Sequence, residues 1–327
     1  MPRAIGFFAA LVVASSLVAQ QPAAPAKKVA ATVNGREISE AAVERALKPV
    51  PAETRAKARP EVINYLIENV LVDYYLELLK IVVEPKEVDT QIETFKKQIT
   101  DSKQDFAKVL EKMDISEAEL RVEVLNTLRW EKFAAQQATD DKLKKLFEAS
   151  PEIFDGSMVH ARHILITPEA NTDAGKAAAL KKIQEIKAGI DAAIATATAK
   201  VPVAVAPLDR QRQINQATDD AFSAAAREKS SCPTKRDGGD LGEFPRMGMM
   251  VEAFSKAAFA MKPYEVSNPV ETQYGYHLIL VTGKKPGEAV AFEMIKGAVS
   301  EVYGARLREA IVAKMKADPN TKIDVSK

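Results

Sequence analysis

The chain has 327 residues, 46% of them hydrophobic, which is enough for a core of its own and for division into two domains, and its composition is neither fibrous nor that of a disordered protein. Lys and Arg number 46 against 45 Asp and Glu, and the resulting net charge of +1 offers no long-range attraction to a nucleic acid or other polyanion. The single cysteine, Cys232, excludes an intramolecular disulfide.

Met1-Pro2-Arg3 leads into an apolar run from Ala4 to Ala19 that includes Ser15 and Ser16, followed by polar QQPAAPAKK. This is the shape of a signal peptide. The run falls short of the ~20 apolar residues that a spanning helix needs, so export to a periplasm or the exterior is expected ahead of retention by an uncleaved anchor. Cleavage after Ala19 would set Leu17 where a small residue is usual, and a site nearer Ala26 is the other option. Residues 1–26 are therefore read as signal peptide and leader. No cysteine follows the run to accept a lipid, and no arginine pair precedes it.

ATVNGREIS predicts a short hairpin turning at Asn34-Gly35, with Ser39 capping the helix that follows. From Pro60, the residues Ile63, Leu66, Ile67, Val70, Leu71, Tyr74, Leu78 and Leu79 recur at helical spacing, and Pro85 follows the end of the run. Val88, Ile92, Phe95 and Ile99 mark a second helix. Ser116 and Glu119 form a capping-box signature ahead of Leu120, Val124 and Leu128. Residues 27–155 thus read as a helical domain. Its apolar stripes are core, Trp130 included, and the charges between them are a solvated face.

ARHILI at Ala161–Ile166 reads as a strand. A helix then runs to about Gly189, an Ala- and Val-rich insert containing VPVAVAPLDRQRQINQATD occupies about 190–218, and a second helix starts near Asp220. An insert of that length is either a functional or disordered loop or an extension of the helix at each end. SSCPTKRDGGDLGEF, MMVEAFSKAAFAM and the strand-like NPVETQYGYHLILV follow, and Ala291 to Lys316 again reads as a helix through Met294, Ile295, Val299, Val302 and Ile311. Two of the three histidines sit inside the apolar strands. Read alone, such a histidine is a buried, hydrogen-bonded core residue.

ARHILI, SSCPTKRDGGDLGEF, MMVEAFSKAAFAM and NPVETQYGYHLILV, in that order, resemble the parvulin-type peptidyl-prolyl isomerases, and the flanking helices are similar to the arms of the SurA and PrsA type of exported chaperone. The resemblance implies an α+β chain: a helical chaperone-like domain at 27–155, a parvulin domain at 156–285 with a four-stranded, mainly antiparallel sheet wrapped by helices, and a C-terminal helical segment, 286–327, packing back on the helical domain. It implies catalysis of X-Pro rotation in unfolded or folding exported polypeptides, with chaperone action from the helical domain. The alternative is a holdase whose inactive parvulin domain only binds clients.

The same resemblance assigns His163, Cys232, His277 and Thr272 to the polar, catalytic set and Leu241, Met250, Phe254 and Tyr274 to the proline-binding set. His163 and His277 are expected to share a hydrogen bond that fixes their tautomers. Cys232, at a position that is Asp in many members, is expected to tune them as a polar group and not as a nucleophile. One extra residue around Met247 to Met250 makes Met249 a rival for Met250, while Phe259 and Met261 are expected to face the core. Where phosphate-directed members carry a basic cluster, this chain has Glu169 and Asp173 and no arginine, so no phosphate-specific substrate is expected.

No metal or other cofactor is expected. His160, His163, Cys232 and His277 are familiar zinc ligands, but residues three apart in a strand leave on opposite faces, and no C-x-x-C or H-x-x-x-H pair occurs. A cysteine hydrolase is disfavoured as well, because Cys232 lies in a Ser-Ser-Cys-Pro loop and not at an evident helix N-terminus that would lower its pKa.

Overall fold

The computed structural model describes residues 28–202 and 204–326, so the leader lies outside the described residues. The chain divides into two compact units, Met1–Gln137 with Arg306–Lys327, and Ala138–Ala305. No helix among the described residues is long and apolar enough to cross a membrane.

The first unit opens with β1 (Val29–Val33) and β2 (Arg36–Ser39), an antiparallel hairpin. Asn34 (φ 50°) and Gly35 (φ 80°) supply the two left-handed residues that its turn requires. Ser39 Oγ accepts from the Ala42 amide and caps α1 (Glu40–Leu47). Next come α2 (Arg55–Leu78), α3 (Pro85–Asp101), α4 (Phe106–Met113) and α5 (Glu117–Gln137). The capping box is reciprocal: the Ser116 amide donates to Glu119 Oε2 at 2.8 Å, and the Glu119 amide donates to Ser116 Oγ at 3.2 Å. α2 starts five residues ahead of Pro60. Pro60 deprives the Ala56 carbonyl of its helical donor, which the helix tolerates because both residues are exposed.

In the second unit, α6 (Asp140–Ala149) precedes β3 (Met158–Ile166), α7 (Asp173–Ala199), α8 (Pro207–Lys229), β4 (Asp240–Pro245), α9 (Glu252–Ala260), β5 (Val270–Thr272) and β6 (Gly275–Lys285). The sheet has the order β4-β3-β6-β5 and every pairing is antiparallel. One face carries Ile164, Ile166, Leu278 and Leu280 against Ile183, Ile186 and Phe222 of α7 and α8. The other carries Val159, Ala161, Phe244, Ile279 and Val281 against Phe254, Ala258 and Met261 of α9 and its end. The unit begins at Ala138 and not near 156, because Phe147 of α6 packs on Phe154 and on Phe292, each at 5.9 Å.

The insert at about 190–218 is not a long loop. α7 continues to Ala199 and α8 starts at Pro207, well before Asp220, leaving 200–206 as the connection. Ile183, Ile186, Ile190 and Ile194 continue one apolar stripe through the supposed helix end, and Pro207 starts α8 at a position where its missing N–H costs nothing.

α10 (Phe292–Ala317) begins in the second unit, where Lys296 bonds Asp140, and ends in the first, where Ile311, Val312 and Met315 join Val33, Val43, Leu71 and Phe133 in the core. β7 (Ile323–Val325) then adds to β1, giving the sheet order β2-β1-β7. Ile311, Val312 and Met315 thus complete the core that Ala30, Ala31 and Val33 begin.

Phe222 has no exposed surface between the sheet and the long helical hairpin. Phe222→Ala is expected to cost about 3–5 kcal/mol, read as a lower urea midpoint for the transition of the second unit, whereas Ser116→Ala costs about 1 kcal/mol through the lost cap of α5.

Candidate active site

β3 and β6 pair so that His163 stands opposite Ile279 and Leu165 opposite His277. The two histidines are therefore diagonal neighbours on the α9 face of the sheet. Their Nδ1 atoms lie 3.2 Å apart, and the rings stack with centroids 5.5 Å apart and an interplanar angle of 23°. Phe254 meets both edge to face, 5.8 Å from the ring of His163 and 5.3 Å from that of His277. A hydroxyl closes each end of the pair: Thr234 Oγ1 is 3.1 Å from His163 Nε2, and Thr272 Oγ1 is 2.8 Å from His277 Nε2.

Burial pushes both imidazoles down to about 4, and for His277 the neighbouring His163 adds to the effect. Both are neutral near pH 7, so each carries one N–H and offers one bare nitrogen. This couples the whole row. If His163 Nδ1 donates to His277 Nδ1, then Thr234 donates to His163 Nε2, and His277 Nε2 donates to Thr272; reversing one bond reverses the others. Thr272 Oγ1 also accepts from the Tyr274 amide at 3.1 Å and lies 3.4 Å from the Gly275 carbonyl oxygen. The first direction leaves the Thr272 proton for that carbonyl and satisfies one more acceptor, so the geometry favours Nδ1–H on His163 and Nε2–H on His277.

The apolar half of the site surrounds Phe254, which is 3% exposed. Leu241, at the start of β4, and Met250, one turn before Phe254, pack as half-buried side chains against the cluster to which Phe254 belongs. Met250 is the methionine that packs on this cluster, while Met249 is 61% exposed. Phe259 and Met261 pack into the same cluster, Phe259 against Phe244. The connection between β4 and α9 is pinned by buried Arg246, whose Nη1 and Nη2 donate to Glu252 at 2.8 and 2.7 Å. Tyr274 sits in the turn between β5 and β6, 47% exposed, and touches the row through its amide.

Cys232 makes no side-chain hydrogen bond to either histidine. Its amide donates to Ser230 Oγ at 3.2 Å, and its thiol has no hydrogen-bond partner among the described residues. The group that faces His163 belongs to Thr234, two residues further on, in a five-residue 3-10 turn from Pro233 to Asp237. Thr234 was not distinguishable in the sequence, since its hydroxyl sits among Lys, Arg and Asp in what reads as a solvated turn. His160 bonds Thr282 and lies 3.3 Å from Asp240.

After that turn, Gly239 accepts from the His163 amide at 2.8 Å. It has φ +80°, and a Cβ there would fall 2.2 Å from the His163 carbonyl oxygen. The Gly238-Gly239 pair is thus what allows the turn to close on β3.

Residues 195–283 match the PPIC-type PPIase (rotamase) domain, and residues 4–134 match the SurA-like N-terminal domain. The rotamase match starts inside α7, so β3 with His163 lies upstream of it. The chain is 33% identical over 184 residues to foldase protein PrsA of Caldanaerobacter subterraneus subsp. tengcongensis, covering 56% of this chain and 45% of that one. It is 46% identical over 89 residues to foldase protein PrsA of Bacillus subtilis, covering 27% and 29%. With foldase protein PrsA 1 of Bacillus cereus the identity is 30% over 251 residues, covering 76% of this chain and 68% of the relative. The first two matches span less than half of those relatives' lengths.

Because the unfolded chain binds protons on these histidines near pH 6.5 and the folded chain only near pH 4, acid favours unfolding. Stability is expected to fall as pH drops from about 6.5 towards 4 and to be insensitive to this pair above that window. Urea unfolding at pH 7 and pH 5, beside an NMR titration of the two rings, checks both parts: rings that protonate near pH 6.5 in the folded protein would contradict the burial argument.

Proposed function

The chain belongs to the PrsA family of foldases, and on that premise we propose that it is an exported peptidyl-prolyl cis-trans isomerase that acts on X-Pro bonds of unfolded or folding polypeptides, with its helical unit serving as a chaperone module. The observation that carries the reading is the buried, neutral His163–His277 pair, closed by a hydroxyl at each end and set against Phe254.

Rotation about a peptide bond faces a barrier of ~18–20 kcal/mol because the C–N bond is conjugated. Uncatalysed X-Pro exchange takes tens of seconds or more. No covalent bond has to be made; the site has to favour the twisted amide over both planar forms. Twisting removes conjugation, so the carbonyl loses charge and the amide loses much of its dipole. An apolar seat made by Phe254, Leu241 and Met250 holds the pyrrolidine ring in surroundings that give the planar dipole little solvation. The histidine row keeps the polar side of the site uncharged while its hydroxyls remain able to exchange donor and acceptor roles.

Roles are proposed accordingly: His163, His277 and Thr272 in the polar row, joined by Thr234, and Leu241, Met250 and Phe254 in the proline seat, with Tyr274 at its rim. The thiol of Cys232, outside the row, has no part in turnover. Glu169 and Asp173, in and just after the connection from β3 to α7, offer a phosphorylated substrate no charge-assisted partner. Export rests on the apolar leader of residues 4–19. The chaperone assignment rests on the SurA-like match over the helical unit.

The test is turnover of a short X-Pro peptide by the full chain. Phe254→Ala and His277→Ala are each expected to lower kcat/KM by at least about tenfold, equivalent to about 1.4 kcal/mol of transition-state stabilisation, whereas Cys232→Ser stays within about twofold. A folded chain with no turnover above background, yet able to suppress aggregation of an unfolded client, would replace the isomerase reading with that of a client-binding holdase.

A further inference from the structure

The face of β3 opposite the histidine pair carries a guanidinium with no part in the chemistry described so far. Arg162 precedes His163, so its side chain leaves the strand on the α8 side of the sheet. There Nε donates to Asp219 Oδ1 at 2.7 Å, and Nη2 reaches Oδ2 at 3.4 Å. Nη1 donates to the backbone carbonyl oxygen of Asp237 at 2.9 Å and lies 3.5 Å from Asp240 Oδ2. The side chains of Arg162 and Asp219 are only 18% and 23% exposed, so these contacts are partly withdrawn from water. The second oxygen of Asp240 is 3.3 Å from His160 Nε2. One planar fork thus ties together β3, α8, the end of the 3-10 turn and the first residue of β4.

The segment gripped in this way carries two groups of the site. Thr234 lies three residues before Asp237 and holds His163 Nε2, while Leu241 follows Asp240 and packs against the Phe254 cluster. Backbone bonds also hold the segment, among them Gly239 N–H to the Thr234 carbonyl at 2.9 Å and His163 N–H to the Gly239 carbonyl at 2.8 Å, and the Gly242 amide donates to Asp240 Oδ1 at 2.8 Å. These set the path of the chain. Arg162 is the side chain that joins the far end of the turn to α8, and Asp219 sets the plane of its guanidinium.

We propose that Arg162, oriented by Asp219, is a positioning residue for the histidine pair: it holds the 233–241 segment so that the Thr234 hydroxyl donates to His163 Nε2 and keeps the Nδ1–H tautomer of that ring. The proposal rests on the isomerase reading for its catalytic consequence, but its structural content is independent of turnover. A lysine has one nitrogen on a flexible stem in place of the planar fork, so it could not reproduce the paired contact to Asp219 while also reaching the Asp237 carbonyl from a second nitrogen.

The experiment compares the full chain with Arg162→Met, Arg162→Lys, Asp219→Asn and Thr234→Val, measuring kcat and KM on an X-Pro peptide together with the imidazole nitrogen chemical shifts of His163 and His277. Arg162→Met is expected to lower kcat about tenfold and to move the His163 ring nitrogens in the same direction as Thr234→Val. Lysine is expected not to rescue either effect, and Asp219→Asn, which keeps an acceptor, to fall between. Ring shifts and kcat within about twofold of the parent in folded Arg162→Met overturn the proposal, as does a lowered melting temperature with an unmoved His163 spectrum, since that is what a merely structural residue gives. If Arg162→Met does not fold, Asp219→Asn decides: a His163 shift shared with Thr234→Val supports the proposal, and an unmoved spectrum overturns it. Absence of turnover in the parent would defeat the isomerase reading alone, because the ring shifts still report whether Arg162 sets Thr234.

Discussion

The bond between His163 Nδ1 and His277 Nδ1 requires one of those nitrogens to be bare, and much of the second unit serves that requirement. Two protonated rings would point N–H at N–H across 3.2 Å with no carboxylate in the row to offset them. The fold avoids that state by withholding water: both histidines are nearly buried, Phe254 stands edge-on to both, and β3 and β6 form the centre of the sheet. Withdrawal from water costs an unpaired polar group several kcal/mol, so each remaining ring nitrogen needs a partner. Thr234 and Thr272 supply them from two separate turns.

Placement of those turns explains features that look unrelated. β5 is only three residues long, yet it brings Thr272 beside His277, and the turn that joins it to β6 returns the Tyr274 amide to the same hydroxyl. On the other side, the Gly238-Gly239 corner lets the segment before β4 press against the backbone of His163. Strand register sets the diagonal approach of the rings, and turn chemistry sets their direction of hydrogen bonding. A slip of one residue in β6 would put His277 on the α8 face and end the arrangement.

Local signals were the most legible part of the sequence. Asn34-Gly35, Ser39 and the Ser116–Glu119 box each act over four residues or fewer, and each forms as its chemistry demands. The pairing of the two strand histidines was also legible, through the resemblance carried by the motifs around them. Thr234 was not, because its role depends on where a 3-10 turn lands against β3. Cys232 was singled out by its position in the resemblance, whereas the hydroxyl that bonds His163 belongs to Thr234, two residues on. The helix limits of the insert were obscured by VPVAVAP, whose prolines and β-branched residues hide the isoleucine stripe that carries α7 onward. β7 escaped notice for a different reason: at three residues its Ile323-Asp324-Val325 alternation is too short to identify a strand, and it is held by backbone pairing with β1, nearly three hundred residues away.

An uncharged polar row is also the arrangement that a bond rotation, as opposed to a hydrolysis, would need. A general base must gain a proton and pass it on, which favours a pKa near the working pH; histidines held near 4 are poor at that task. Rotation moves no proton to solvent. It changes how much charge the amide oxygen carries and whether its nitrogen can accept a hydrogen bond, and a row of neutral donors and acceptors can follow both changes without creating a buried ion. The depressed histidines, which would be a defect in a hydrolase, are therefore consistent with an isomerase. The same reasoning puts the burden of rate enhancement on how rigidly the row and the proline seat are held in place, and so on the turns and side-chain clamps around them.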